Sequence, residues 1–573
     1  MELLTEHYKF WPKRVSHNLT VPETTLYNNL AVSAARYPDK TAIYYYGQRI
    51  SYRQLYQQSE HLAGYLQHKA GVQKGDRVLL YLQNSPQFVI GFHAILRSDA
   101  VVLPVNPMNL TDELKHYIED SGARVAIVGQ ELYDRIATLT GETELSTVIV
   151  ATYSDYLPVQ KSEGADNAGD IAVYMKTLPE FIRAPRRKLD DSFAVAWSNA
   201  LDAALEAAPS QTGPSDLAVM PYTSGTTGAP KGCMHTNRTV QANTVGACNW
   251  VGLSADGVIL TVLPLFHVTG MVHSMLAPIF GGSQMVLMTR WDRDMAGELI
   301  QRTRCTGWTN ISTMVVDFLM NPKVDQYDIS SLQTIGGGGA TLPEAVGEQL
   351  FQRTGIRYME GYGLSETISQ THFNPPDAPK LQCMGIPSFD VDARILDTET
   401  GAELGPNQEG ELVVNGPQVF VGYWNRPADD AKSFIEIGGK RFFRTGDLAR
   451  YDEDGYFFMV DRVKRMINAA GFKVWPSEVE TILYKHPAVG QACVIGVPDL
   501  RRGETVKAYI IPKADRRDDV TAEEIISWAR EQMAAYKVPR VVQFVDSLPM
   551  SGSGKILWRK LQEDEAAAAT PGA

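Results

Sequence analysis

The chain has 573 residues, 44% of them hydrophobic and 21% charged, with a net charge of -12. That length exceeds what one core supports and implies a multi-domain globular protein, and the ordinary composition excludes large-scale disorder. The acidic balance argues against a general affinity for nucleic acid or anionic membrane.

The first predicted elements alternate. Ser51, Leu55, Leu62, Ala63 and Leu66 pattern a capped amphipathic helix, and 77–82, after Gly75-Asp76, reads as a buried strand. A helix start at Ser85-Pro86, with Phe88, Phe92 and Ile95 on one face, then a strand at 100–104, a helix from Thr111-Asp112 and a strand at 125–128 repeat the unit. Such an order predicts a parallel, doubly wound sheet. Residues 152–214, richer in Asp, Ala, Pro and charge, are expected on the surface as loops and short helices.

The string 222–232, Tyr-Thr-Ser-Gly-Thr-Thr-Gly-Ala-Pro-Lys-Gly, holds three glycines, five hydroxyl side chains and one lysine. Glycine lets the backbone approach an anion, successive N–H groups converge on phosphate oxygens, and Thr223, Ser224, Thr226 and Thr227 add hydroxyl donors beside the charge of Lys231. A Walker P-loop needs Gly-Lys-Ser/Thr directly before a helix, and this string lacks it.

A second α/β run is expected to residue 338, and from 385 short β pieces between turns predict a small β subdomain. The C-terminal stretch again alternates helix and strand. The expected fold class is therefore α/β: a large N-terminal body of two doubly wound subdomains plus a small β subdomain (1–462), a separate small mobile α+β C-terminal domain (463–562) and a flexible tail (563–573). Five scattered cysteines without a CxxC pair read as buried thiols of a reducing compartment. With no apolar leader and no transmembrane run, the cytoplasm is the expected location.

Five segments follow the phosphate loop in order: Glu360-Gly-Tyr-Gly-Leu-Ser-Glu-Thr367, Phe443-Arg-Thr-Gly-Asp-Leu448, Asp461-Arg-Val-Lys-Arg-Met-Ile467, Gly471-Phe-Lys-Val-Trp-Pro-Ser-Glu478 and Pro549-Met-Ser-Gly-Ser-Gly-Lys555. Together the six motifs closely resemble the adenylate-forming superfamily of acyl-CoA synthetases, peptide-synthetase adenylation domains and beetle luciferases. The resemblance covers about residues 25–562. It implies a two-step reaction: a carboxylate attacks the α-phosphate of ATP to give acyl-AMP and pyrophosphate, and a thiol, usually that of coenzyme A, then displaces AMP. ATP and coenzyme A are thus co-substrates and Mg2+ the cofactor.

By the same resemblance Thr223, Ser224, Gly225, Thr226, Thr227, Gly228 and Lys231 hold the β- and γ-phosphates, and Glu366, with Thr223, holds Mg2+ to them. Ser365 reaches the α-phosphate. Tyr362 stacks on adenine beside Glu360, Gly361, Gly363, Gly339 and Ala340, and Asp447 and Arg462 hold the ribose. Lys555 offsets charge during adenylation only, giving Lys555, Glu366 and His267 as the catalytic set. The C-terminal domain then turns about Lys464 and Arg465, bringing Gly471 and Phe472 to the coenzyme A tunnel.

For the acid, His267 is the expected gate and Met271, Met275, Asn310 and Gly338 the expected pocket residues, with methionines as a deformable apolar wall. No Asp stands there to meet an amino group, so a medium- or long-chain fatty acid is expected. An aromatic acid is the alternative. A carrier-protein acceptor and a non-catalytic nucleotide sensor on the same fold are the competing functions. The partners expected are small molecules only, with a homodimer as the candidate assembly.

Overall fold

The computed structural model describes residues 4–158, 176–223, 230–339, 341–462, 465–469, 472–499, 503–513, 516–517, 519–551 and 556–568. Ser224, Gly225, Thr226, Thr227, Gly228, Ala340, Lys464, Gly471 and Lys555 lie outside the described residues, as do the side chains of Arg462 and Phe472.

Two sheets build the N-terminal body. In the first, Leu217–Val219, Val101–Pro104, Arg77–Tyr81, Val125–Gly129, Thr147–Ala151 and Ala194–Ala196 run parallel in that spatial order, and Lys231–Thr236 joins antiparallel beside Leu217–Val219. In the second, Met359–Leu364, Thr334–Gly338, Gly307–Asn310, Val258–Thr261, Gln284–Leu287 and Thr41–Tyr45 are parallel, with Ser369–Phe373 antiparallel at one side. Local chemistry starts the helices between them. Ser51 accepts from the Gln54 amide while the Gln54 side chain accepts from the Ser51 amide, a capping box at the head of Tyr52–His68. Ser85 caps Pro86–Arg97, whose proline stands where no amide partner exists. That helix is buried nearly all round, because one hydrophobic core joins side chains of both sheets.

A third sheet holds Asp392–Leu396, Gly410–Asn415, Lys440–Tyr451, Phe434–Ile437 and Phe457–Arg462, the expected β subdomain. The fourth joins Phe472–Val474, Ile467–Ala469, Gly503–Pro512, Val489–Asp499 and Val541–Phe544, packed with Pro476–Leu483 and Ala522–Gln532 around a core of its own.

Two expectations are corrected. Segment 152–214 is more than surface loops: Ala194–Ala196 extends the first sheet in parallel, and Trp197 is buried with its indole N–H on the Tyr156 hydroxyl. The tail is helical to Ala568, within Trp558–Ala568. Its Ala- and Glu-rich run favours helix, and the Glu565 carboxylate accepts from Lys507 and, at 2.5 Å, from the Tyr509 hydroxyl. All five cysteines are buried and free, and among the described residues no helix is long and apolar enough to cross a membrane.

Candidate active site

The carboxyl ends of the parallel strands in the second sheet open into a large cleft between the N-terminal body and the C-terminal domain, the usual position for a ligand in an open α/β sheet. Strands Tyr222–Thr223 and Lys231–Thr236 pair with Thr223 opposite Lys231, so they bring the two ends of the phosphate loop together. The His116 ring donates to the Pro230 carbonyl at 2.9 Å, and the Tyr222 hydroxyl donates to Asp120 at 2.8 Å. Lys231 pairs with Asp429 at 2.9 Å and lies 5.2 Å from the centre of the Tyr423 ring.

That ring leads to Glu366. The Tyr423 hydroxyl donates to Glu366 Oε1 at 2.9 Å, and the Glu366 carbonyl accepts from the Phe420 amide at 2.8 Å. Burial and the Glu366 charge together push the phenol well above its ordinary range. Ser365 is held from beneath, its carbonyl accepting from His235 Nε2 at 2.8 Å. Burial lowers His235 to about 4, so the ring is a neutral prop. Lys231, Tyr423, Glu366 and Ser365 thus form one connected wall.

Across the cleft, the Tyr362 hydroxyl donates to Asp447 Oδ2 at 2.7 Å. Asp447 is only 1% exposed and stands opposite Arg462 on the neighbouring strand. The three residues expected around the nucleoside therefore come together from two sheets. Glu360 instead braces the chain behind the glycines. Its Oε1 accepts the amides of Gln382 at 3.0 Å and Leu342 at 3.3 Å, and burial pushes the carboxyl up to about 8.

A second, narrow cavity of about 70 Å³ runs along one face of the second sheet. His267 lines both this cavity and the cleft, which puts it at the passage between them; its Nδ1 accepts from the Thr269 amide at 3.4 Å. Gly338, Gly339, Gly361 and Gly363 line it at the end nearest the cleft, and His273 and Ala277 line it from the helical segment. His273 is stacked on Phe373 and kept neutral, lowered to about 4 by burial.

Three pocket expectations are corrected. Met271 and Met275 are fully buried in the main core and do not line the cavity, and Asn310 accepts from the Tyr358 hydroxyl at 3.0 Å. The helical period explains it. Residues 273 and 277 share a face, whereas 271 and 275 fall on the opposite one. Sequence reasoning also missed Tyr423 and Asp429, which belong to no motif.

At the domain junction Arg465 donates to Glu480 Oε1 at 2.5 Å and to the Val494 carbonyl at 3.0 Å, anchoring it to the C-terminal domain. Ser477 donates its amide to Asp461 Oδ2 at 2.9 Å, tying that domain to strand Phe457–Arg462. Met550, Ser551 and Ile556, on either side of 552–555, line the cleft.

Among the described residues no three potential metal ligands cluster. Mg2+ in phosphate chemistry needs only one or two carboxylates plus phosphate oxygens, so the Glu366 carboxylate at the cleft fits that ion.

A parallel α/β sheet whose strand ends open into a cleft toward a second, smaller domain is the architecture of an enzyme that binds small molecules there. Residues 30–424 match the profile of the AMP-binding enzyme family, and 478–555 match the AMP-binding enzyme C-terminal domain. The chain is 35% identical to a long-chain-fatty-acid–CoA ligase of Bacillus subtilis (strain 168), over 97% of each chain. It is 33% identical to a feruloyl-CoA synthase of Amycolatopsis sp, over 91% of this chain and 95% of the relative. It superposes with a TM-score of 0.82 and 25% identity on an anthranilate CoA ligase solved with anthranoyl-AMP, over 96% of this chain and 99% of that one. The chain belongs to the AMP-binding enzyme family of the adenylate-forming superfamily, and it is an acid–thiol ligase.

Proposed function

We propose that the protein joins a medium- or long-chain fatty acid to coenzyme A in two ATP-dependent steps. The observation that carries this reading is the narrow cavity leading from His267 along a glycine-floored sheet, a shape suited to a single acyl chain. In the first step a carboxylate oxygen bonds to the α-phosphorus and the bond to pyrophosphate breaks. In the second the coenzyme A sulfur bonds to the acyl carbon and AMP leaves with the anhydride oxygen. Two anions must meet, so positive groups have to offset their repulsion.

Lys231 and the loop 223–228 bind the terminal phosphates, and Ser365 the α-phosphate. Asp447 and Arg462 take the ribose and Tyr362 the base. Glu366, with Thr223, holds Mg2+, which supplies charge neutralisation at the phosphates when bound. Lys555 acts in adenylation, supported by the flanking residues Ser551 and Ile556 that line the cleft. The domain then turns about Lys464 and Arg465, the latter paired with Glu480 of the C-terminal domain and 4.0 Å from Asp461 on the preceding strand. Gly471 and Phe472 serve the thiol afterwards.

A second reading, an aromatic acid, draws on the ring wall of His273 and Phe373. Lys555→Ala tests the mechanism. The variant should lose acyl-AMP formation by on the order of 100- to 1,000-fold, yet convert supplied acyl-AMP and coenzyme A to thioester near the parental rate. Equal loss of both steps in a folded variant would sink the two-position scheme. Parental AMP formation without coenzyme A, with transfer only to a carrier protein, would sink the coenzyme A acceptor.

A further inference from the structure

The cavity does not stop beneath the nucleotide. Parallel register places Gly338 beside Gly361, Gly336 beside Thr309 and Met359, and Thr334 beside Gly307. Side chains alternate along a strand, so Thr334, Gly336 and Gly338 present one face. From Gly338 to Thr334 is four strand steps, about 13 Å at roughly 3.3 Å per residue. An extended methylene chain built from C–C bonds of ~1.5 Å advances about 1.25 Å per carbon, so roughly ten carbons laid along that floor would span the distance.

Gly307 stands at the far end of that floor. Gly307 lies between Ile259 and Thr334 on its two neighbouring strands. A Cβ at Gly307 would stand 2.9 Å from Ile259 Cδ1 and 3.0 Å from Thr334 Oγ1, closer than such contacts normally come. The same cavity is lined by Val251 and Leu253, partly buried residues where helix Asn237–Val251 ends. The side chain missing at Gly307 leaves a gap between Ile259 and Thr334 in the lining of that cavity.

We propose that Gly307 is the chain-length determinant of this enzyme: the gap between Ile259 and Thr334 passes the tail of acids longer than about ten carbons toward Val251 and Leu253. This rests on the fatty acid reading above. An acid shorter than the channel ends before Gly307 and does not meet it. A longer one must cross it, so a single methyl there acts on long chains selectively.

The test is kcat/KM for octanoate and hexadecanoate, with ATP and coenzyme A, in the parent and in Gly307→Ala. The ratio of long to short should fall at least ~10-fold, the size of effect one methylene has in a tight apolar pocket. Ile259→Val removes the very Cδ1 atom that the new methyl meets. Added to Gly307→Ala, it should bring the ratio back to within roughly threefold of the parent, a non-additivity expected only of groups in contact. If Gly307→Ala does not fold, Ile259→Phe, which carries a ring over Gly307 from the neighbouring strand, should lower the ratio likewise. A parent that uses both acids while neither obstructing variant changes the ratio overturns the gate and leaves the fatty acid reading standing. A parent that uses octanoate but not hexadecanoate also overturns the gate. A parent that activates neither, but does activate an aromatic acid, overturns the fatty acid reading itself.

Discussion

The two walls of the cleft are built by opposite means. On the nucleotide side, among the described residues, four expected groups are held by partners: Tyr362 by Asp447, Glu366 by Tyr423, Lys231 by Asp429, Ser365 by His235. On the acid side the floor is made by leaving side chains out, at Gly307, Gly336, Gly338, Gly361 and Gly363. Charge and hydroxyl groups must be aimed to act on phosphate, and each needs a second residue to hold it. An apolar chain needs only room. The nucleotide side should therefore fail when a partner is removed, and the acid side when an atom is added.

The largest effect should come from Glu366→Ala. It removes the carboxylate proposed to hold the metal and strands the Tyr423 hydroxyl, so pyrophosphate release should fall by on the order of 100-fold or more. Measured at saturating ATP, the KM for the acid should stay near that of the parent. A shift confined to the acid KM would place Glu366 on the wrong wall.

Ala277→Leu should do the reverse. Ala277 is fully buried and lines the acid cavity, so the longer side chain fills it. The acid KM should rise by roughly 10-fold or more, while ATP binding, followed by calorimetry without acid, stays parental and shows that the variant is folded. Weakened ATP binding with an unmoved acid KM would break the division between the walls.

Glu360→Gln is the mildest and bears on stability. The folded-state pKa is raised from 4.5 to about 8 by burial. Between those values the folded protein keeps a proton that the unfolded chain has released, so stability falls as pH rises. The contribution is fully present below the unfolded value and gone once pH passes the folded one. Glutamine keeps the Oε1 that accepts both amides and removes the ionisation. The variant's Tm should therefore lose less than the parent's between pH ~5 and ~8, where this proton is at stake. Parallel curves would show that Glu360 does not titrate there.

How much could be read beforehand differs between the walls for the same reason. Tyr362, Ser365, Glu366 and Asp447 stand in short strings whose chemistry is written in residue type, and the structure brings them to one cleft. Tyr423 and Asp429 were invisible because they act on Glu366 and Lys231 from a strand and a helix far along the chain. Met271 and Met275 misled because an apolar residue near a gate looks the same whether it faces a cavity or the core. Only the angle around the helix separates them.

Local sequence patterns determined the alternating strands and helices, the helix starts at Ser51 and Ser85, the β-rich middle and the separate C-terminal unit, since each of these depends on residues within a turn or two of one another. The tail was misjudged because its helix is secured by Lys507 and Tyr509, more than fifty residues earlier. Which glycines lie side by side, and so where a channel runs, was decided only by tertiary structure. A glycine carries no pattern of its own, and the space it leaves exists only when neighbouring strands such as Val258–Thr261, Gly307–Asn310 and Thr334–Gly338 are set in register.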